Sequence, residues 1–252
     1  MEQTLATARR VAFFGGSFDP PHEGHLAIAR AAQKALHLDR VLFAPVGAQP
    51  LKPMGSTASF DDRLAMTQLA ISGDPGFDLS LIDAPKPNAA PNFTIDTLLQ
   101  LRQKLPADGV LFFLMGADSF LSLARWHKAA EIPFVAQLIV AARPEQPLND
   151  VKALLPHGVF LQTTPNAVQS TVGPPSDPAE VNILTLRNSH GATNPFFVLP
   201  DLHVEISASQ IREDVRDLLN AADSVGEGRP PTRNRLVPAT VLEYIRAHGL
   251  YR

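Results

Sequence analysis

A glycine turn between an apolar run and a helical pattern is the feature that most constrains the fold of this chain. The apolar residues at 11–14 predict a buried strand, and the periodic apolar residues at 22–36 predict an amphipathic helix. Between them, residues 15–21 read G-G-S-F-D-P-P. Glycines let backbone N–H groups come close to an anion, and a helix N-terminus adds free donors and partial positive charge. The sequence therefore predicts a strand–turn–helix unit that binds phosphate at its turn.

Two histidines stand at the predicted start of this helix. His22 and His25 are three residues apart, so on a helix they share one face and can contact the same phosphate oxygens. A histidine at a helix start can equally cap the helix or pack locally, and the spacing alone leaves both interpretations open.

Apolar runs alternate with helical patterns over residues 11–161, which is typical of βαβ units. Strands are predicted at residues 11–14, 40–44, 78–82, 110–115, 137–142 and 159–161. Helices are predicted at residues 22–36, 60–72, 94–105, 117–123 and 148–155. We expect an α/β fold with a Rossmann-like, doubly wound, mostly parallel sheet and helices on both faces. Ligands bind such sheets beyond the carboxyl ends of the strands, which again points to the first glycine turn.

Later in the chain, proline- and glycine-rich stretches interrupt this periodicity at residues 163–202 and 223–234. We interpret both as inserted loops, the first containing at most a short strand at 181–186. Helices predicted at 207–222 and 238–248 form a helical C-terminal part, 203–252. We expect the whole chain, 1–252, to be a single domain.

The composition excludes several classes of protein. The 252 residues carry a formal net charge of −3, so we expect no nucleic-acid partner. Cysteine is absent, which excludes disulfides, thiolate metal sites and cysteine nucleophiles and fits a cytoplasmic location. The sequence shows neither a signal peptide nor an apolar run long enough to span a bilayer, so we expect no membrane partner. Homo-oligomerisation is left open.

Two separate signatures carry a resemblance to a known family. Residues 15–25, G-G-S-F-D-P-P-H-E-G-H, resemble the H-x-G-H signature of nucleotidyltransferases and, in this longer form, the bacterial nicotinate-nucleotide adenylyltransferases. Residues 206–212, I-S-A-S-Q-I-R, resemble the family's second signature, I-S-S-T-x-I-R. Ala208 and Ser209 depart from that form, and only Ser209 keeps a hydroxyl. Both signatures appear in the family's order.

This resemblance implies adenylyl transfer from ATP to nicotinate mononucleotide, giving deamido-NAD and pyrophosphate, a step of NAD biosynthesis. Mg²⁺ would accompany ATP, and the two nucleotides would be the protein's small-molecule partners. The attacking phosphate is already an anion at neutral pH, so the reaction needs positioning and electrostatic stabilisation rather than a general base.

The resemblance also implies which residues contact the reacting phosphates. His25 is assigned to the α-phosphate and His22 to the phosphates beside it, while Lys52 and Arg212 are assigned to the triphosphate. The family usually has P-H-K before this lysine, and Leu51 departs from that pattern. A solvated loop lysine and an arginine on an ordinary capped helix are the structural alternatives.

Further residues are expected to bind the rest of the two nucleotides. The expected ATP-binding residues are Gly15, Gly16, Ser17, Phe18, Gly116, Asp118, Arg143, Ser207 and Ser209. The expected mononucleotide-binding residues are Thr94, Trp126 and His127, with Trp126 stacking on the pyridine ring and Thr94 also capping its helix. No residue is assigned to a metal.

Structural alternatives remain for several of these side chains. Asp118 and Ser207 could simply cap helices, and Trp126 could be an ordinary core residue. Asp19 is expected either to hold the turn by an Asx-type bond or to contact substrate.

Three rival functions follow from the same residues. The acceptor could instead be nicotinamide mononucleotide or phosphopantetheine, or the protein could be a nucleotide sensor without catalytic activity. A third rival, a nicotinamide-dependent oxidoreductase, would need G-x-G-x-x-G after the first strand. Residues 15–20 instead read G-G-S-F-D-P, so this rival is discounted.

Overall fold

The computed structural model describes residues 2–51, 55–141, 151–162, 181–199, 208–224 and 236–252. These residues form one eight-stranded sheet with helices on both faces, which confirms the predicted α/β fold class. No helix within those ranges combines the length and the apolar character that crossing a bilayer requires.

The sheet is wound in two directions from its centre. Its strands are β1 (Arg10–Gly16), β2 (Arg40–Pro45), β3 (Phe77–Leu79), β4 (Val110–Gly116), β5 (Gln137–Ala141), β6 (Val159–Leu161), β7 (Asn182–Asn188) and β8 (Thr193–Leu199). They lie in the order β3-β2-β1-β4-β5-β8-β7-β6, and only β7 runs antiparallel to its neighbours. The chain moves outward from β1 to β3 and then returns to β4 on the other side of β1. This reversal opens a crevice at the carboxyl ends of β1 and β4.

Helices cover both faces of the sheet. They are α1 (Glu2–Thr7), α2 (Glu23–Leu36), α3 (Phe60–Ile71), α4 (Thr94–Lys104), α5 (Ala117–Ser122), α6 (Ile132–Val135), α7 (Val151–Leu154), α8 (Ala208–Ser224) and α9 (Ala239–His248). Neighbouring strand residues point to opposite faces, so Phe14 and Phe112 pack beneath α2, α3, α8 and α9, whereas Phe13 and Phe113 pack beneath the other helices. Because both faces are buried, the strands read as continuous apolar runs rather than alternating ones.

The prediction that 163–202 is mostly loop was wrong for residues 182–199, although the short strand predicted at 181–186 was correct. Residues 182–199 form the hairpin of β7 and β8, and β8 pairs in parallel with β5. Asn194 and Pro195 obscured the second strand, although Phe196 and Leu199 bury their side chains completely. Pro195 is tolerated because it lies near the start of its strand.

A second difference from the sequence prediction lies at the start of α4. Phe93 is the N-cap residue and Thr94 is the first helical residue, and neither provides a side-chain cap at this helix start. The helix is instead held by Thr97, whose hydroxyl donates to the carboxylate of buried Asp83. Burial raises the pKa of Asp83 above its usual value, opposed by the Thr97 hydrogen bond and by the charge of Lys86.

We predict that Asp83→Asn stabilises the protein increasingly as pH rises. A folded-state pKa above the unfolded one means that the folded protein holds this proton more tightly. The unfolding free energy of the wild type therefore falls as pH rises through the raised pKa, and the variant lacks this loss. Urea denaturation at about pH 4, where the window opens at the usual aspartate pKa, and at about pH 8 measures the change across the window.

Asp108→Asn is the matched control, because Asp108 is 56% exposed and pairs with the exposed Arg9. Its effect should be small and similar at both pH values. An Asp83→Asn effect that stays constant or shrinks with rising pH would contradict the role assigned to burial.

Candidate active site

A cleft of about 740 Å³ lies at the crevice between the carboxyl ends of β1 and β4. This volume falls within the usual range for small-molecule sites. Its walls come from the turn after β1, the starts of α2, α4, α5 and α8, and the loops after β2 and α5. Thirteen predicted site residues line it, namely Gly15, Gly16, Ser17, Phe18, His22, His25, Thr94, Gly116, Asp118, Trp126, His127, Ser209 and Arg212. The other three predictions, Lys52, Arg143 and Ser207, lie outside the described residues.

The two histidine rings form a close, tilted pair at the start of α2, with 30° between the ring planes. His22 is the N-cap residue, and its backbone N–H donates to Nδ1 of His25 at 3.2 Å. The ring centroids are 3.6 Å apart, and the edge of Phe18 packs on His25 with a centroid distance of 4.9 Å. Because Nδ1 of His25 accepts a hydrogen bond, the neutral imidazole carries its proton on Nε2. The N–H donor of the His25 ring is therefore Nε2, the nitrogen that does not take part in this bond at the helix start.

The glycine turn is tightly packed around two phenylalanines. A Cβ on Gly15 would lie 2.7 Å from the ring of Phe13, so any larger residue here would force that buried ring to shift. Phe18 follows with φ of +48°, a left-handed conformation that is costly for a bulky residue. Its ring is fully buried, and this burial offsets the backbone cost. The turn is thus held in one shape before any ligand binds.

Asp19 does not make the Asx-type bond that was one of the two expectations. Its buried carboxylate accepts the backbone N–H groups of Thr57 and Ala58, at 2.6 and 3.1 Å, and the hydroxyl of Tyr251 at 2.7 Å. The side chain thus fixes the turn by binding distant parts of the chain rather than by a local turn bond.

Arg63 is a positioning residue that sequence reasoning missed. Its buried guanidinium donates to the carbonyl oxygens of Ser17 at 2.7 Å and Val46 at 2.9 Å. It therefore ties the glycine turn to the loop after β2, where Gln49 also donates to the Ser17 hydroxyl at 3.0 Å. Burial lowers the pKa of Arg63, with the charge of Asp19 acting in the opposite direction.

Arg212 reaches the cleft from the first turns of α8. Its guanidinium donates to the carbonyl oxygen of Asp19 at 2.8 Å and to the hydroxyl of Ser209 at 3.1 Å. These two bonds aim the guanidinium at the turn after β1. The two sequence signatures, nearly 200 residues apart, therefore meet in hydrogen-bond contact.

The opposite wall begins where β4 ends at Gly116. A Cβ added here would meet no described atom within 4 Å, so glycine leaves this part of the cleft open. Asp118 follows as an exposed residue in the first turn of α5. Its carboxylate is placed to accept hydrogen bonds from a ligand's hydroxyl groups.

Aromatic side chains line the far end of the cleft. Trp126 is half-buried, and its indole N–H donates to the hydroxyl of Ser122 at 2.9 Å. One part of the ring packs near Phe113, with centroids 6.0 Å apart, and the residue also faces the cleft. Trp126 is thus a core residue in part and a cleft residue in part. The exposed ring of His127 lies on Phe93 with a centroid distance of 4.4 Å.

Three more cleft residues were not among the predicted site residues. Asn92 is buried, accepts from the Ala48 N–H at 3.1 Å and donates to the Ala84 carbonyl at 3.2 Å, so it joins three loops. Asp83 and Arg125 also line the cleft. The polar Asn92 directly before a helix was a usable signal, whereas nothing in the local sequence marks Asp83 or Arg125.

The described carboxylates and imidazoles do not assemble a metal cage. Within the part of the chain that the structure describes, no group of three or more histidine, aspartate and glutamate side chains is placed to hold a metal ion.

Comparison with known proteins places the chain among nucleotidyltransferases. Residues 13–214 match the cytidylyltransferase-like family. A probable nicotinate-nucleotide adenylyltransferase of Trichlorobacter lovleyi is 35% identical, over 96% of this chain and 99% of its own length. A second, from Gloeobacter violaceus, is 34% identical over 96% of each chain.

A solved structure extends the likeness to the fold. The Plasmodium falciparum nicotinic acid mononucleotide adenylyltransferase, in its complex with NaAD, superposes with a TM-score of 0.63 at 14% identity. The match covers 96% of this chain and 97% of that one. Its sheet architecture is therefore shared at low sequence identity. From the full-length similarity of the bacterial relatives, we conclude that this chain belongs to the nicotinate-nucleotide adenylyltransferase family.

Proposed function

We propose that this protein transfers the adenylyl group of ATP to nicotinate mononucleotide, forming deamido-NAD and pyrophosphate. The observation that carries the proposal is one cleft that joins the glycine turn and the start of α2, with its histidine pair, to a tryptophan at the far end. A phosphate oxygen of the mononucleotide attacks the α-phosphorus of ATP. The bond from the α-phosphorus to the bridging oxygen breaks, and pyrophosphate leaves with the electron pair.

The catalytic work in this proposal is electrostatic. The attacking phosphate needs no deprotonation, so the side chains align two polyanions and stabilise the charge that grows on the α-phosphate and leaving group. The Nε2–H of His25 donates to the α-phosphate, and His22 donates to the phosphates beside it. The N–H groups of the first α2 turn add fixed partial positive charge.

The triphosphate is assigned to the first turns of α8 and to Lys52. Arg212 offers paired donors in a rigid plane, which suit phosphate oxygens better than a single ammonium does. The hydroxyls of Ser207 and Ser209 contact the same phosphates in this proposal. Mg²⁺ accompanying the triphosphate would supply further charge neutralisation beside Arg212.

The remaining predicted residues recognise the two nucleosides. Asp118 accepts hydrogen bonds from the ATP ribose, and Arg143 lies near the adenine. Trp126 stacks on the pyridine ring, while the backbone N–H groups of Thr94 and His127 bind its carboxylate. The position of Thr94 supports this, because the first N–H groups of a helix have no partner within that helix.

We further propose that the chain works as a single nucleotidyltransferase domain in the cytoplasm. The packing of the C-terminal helices supports the single domain, because α8 and α9 pack on the same sheet face as the N-terminal helices α2 and α3. Transfer to nicotinamide mononucleotide or phosphopantetheine, and nucleotide sensing without turnover, are the alternatives that the following assay separates.

The deciding experiment measures pyrophosphate release from Mg·ATP with each of three acceptors: nicotinate mononucleotide, nicotinamide mononucleotide and phosphopantetheine. We expect release with nicotinate mononucleotide to exceed release with the other two at equal concentration. Preference for another acceptor would reassign the substrate. ATP binding without release for any acceptor would replace catalysis by sensing.

We predict that His25→Ala lowers kcat about 10²- to 10³-fold, the cost of losing one donor to a transition-state oxyanion. Single-turnover pyrophosphate release measures the effect. His190→Ala is the control, because His190 is exposed in the turn between β7 and β8. A variant with kcat near the wild-type value would remove His25 from the mechanism.

We predict that Trp126→Ala raises KM for the mononucleotide about tenfold, the loss of one aromatic stacking contact. KM for ATP should change little, and Trp126→Phe should recover most of the loss because it keeps a ring. Steady-state kinetics with each substrate varied in turn distinguishes the two constants. Equal increases in both would show that Trp126 supports the cleft as a whole.

A further inference from the structure

We propose that Tyr251 is a positioning residue for ATP: its hydroxyl holds the Asp19 carboxylate and, through Asp19, the Arg212 guanidinium in their binding geometry. Tyr251 belongs to neither sequence signature and follows the last helix, α9. The inference rests on the proposed function, because it takes the triphosphate to bind at Arg212.

The first step is the environment of the Asp19 carboxylate. Its side chain is only 4% exposed, and it receives three hydrogen bonds within the described structure, from Thr57 N–H, Ala58 N–H and the Tyr251 hydroxyl. A buried carboxylate is stable only when its oxygens are satisfied by donors. Tyr251 is the one side-chain donor of these three.

The second step connects Asp19 to the proposed triphosphate clamp. The carbonyl oxygen of Asp19 accepts from Nη1 of Arg212 at 2.8 Å, so the carboxylate and the clamp are attached to the same residue. The carboxylate also fixes residues 57 and 58, in a loop that lines the cleft through Thr57. A shift of Asp19 therefore displaces two walls of the ATP side together.

The third step is the geometry of Tyr251 itself. The residue is 6% exposed and has φ of +64°, so its backbone takes a left-handed turn that brings the ring inward. Its carbonyl oxygen accepts from Nε of Arg216 at 3.4 Å, one turn beyond Arg212 on α8. Burial raises the pKa of the Tyr251 phenol, as does the Asp19 carboxylate, so the hydroxyl remains a donor at all pH values where the enzyme works.

The loss of this hydroxyl has a specific consequence for Arg212. The charges of both Arg212 and Arg63 act on the Tyr251 phenol, and the charge of Asp19 acts on Arg63. Arg63 is buried and donates to two carbonyl oxygens, whereas Arg212 donates to the Asp19 carbonyl oxygen and the Ser209 hydroxyl where α8 meets the open cleft. Without the tyrosine donor, Oδ1 of Asp19 keeps the Ala58 N–H but loses its side-chain donor, and in this proposal its charge draws Arg212 toward the carboxylate and away from the triphosphate. Tyr251 thus keeps Arg212 available to ATP.

The test is the dissociation constant of Mg·ATP, measured by calorimetry for the wild type and Tyr251→Phe. We expect about tenfold weaker binding in the variant, the effect of leaving one buried acceptor short of a donor. Tyr244→Phe is a matched control, because the only other tyrosine also donates to an aspartate, Asp62, at 3.1 Å. Asp62 is not among the described residues that line the cleft, so ATP affinity should stay within about twofold.

A double-variant cycle separates positioning from general support of the fold. If Tyr251 acts through Arg212, Tyr251→Phe should weaken ATP binding little further in an Arg212→Met background. Thermal denaturation of every variant confirms that the measured protein is folded. Additive losses in the cycle, or wild-type affinity in folded Tyr251→Phe, would overturn this inference alone. A wild type that binds no Mg·ATP would overturn the proposed function as well.

Discussion

Two buried charges of opposite sign beneath the turn after β1 are the constraint on which the cleft depends. Arg63 binds the carbonyl oxygens of Ser17 and Val46, and Asp19 binds donors from the loop after β2 and from Tyr251. Neither charge could be buried unless these partners were held in place. The requirement works in both directions, so satisfying the charges also fixes the loops that form the phosphate side of the cleft.

Under the proposed function, this arrangement explains how an acidic chain can present a local anion site. The net charge of −3 gives no general attraction for phosphate. In the proposal, the attraction comes from oriented groups that line one cleft: the N–H groups at the start of α2, the histidine pair and Arg212. The Asp19 carboxylate accepts hydrogen bonds from the protein's own donors, which weakens its electrostatic repulsion of a polyanionic ligand on that side.

The sequence predicted the sheet well where apolar runs were uninterrupted, and most element ends agree within two residues. It failed at β8, because Asn194 and Pro195 hide a strand whose partners come from β5 and β7. Thr94 was a reasonable N-cap by residue type, but the backbone places the cap at Phe93. These failures share a cause, since pairing and cap geometry are decided by tertiary contacts that local composition does not contain.

The same limit of sequence reasoning separates the cleft residues that were predicted from those that were missed. The glycine turn, the histidine pair, Arg212 and Trp126 were marked by short motifs, and the structure brings them to one cleft. Arg63 and Tyr251 carry no such mark, because an arginine on an amphipathic helix and a tyrosine after the last helix both look like ordinary surface residues. Their importance arises from bonds that span 46 and 232 residues of chain.

The bond between the His22 backbone and the His25 ring has one more consequence. Nδ1 of His25 accepts this N–H and so cannot carry a proton of its own, which leaves the proton of the neutral ring on Nε2. One side chain therefore both closes the first turn of α2 and supplies the donor proposed to contact the α-phosphate. The proposed phosphate contact is thus tied to the integrity of one helical turn, and a substitution at His25 alters both together.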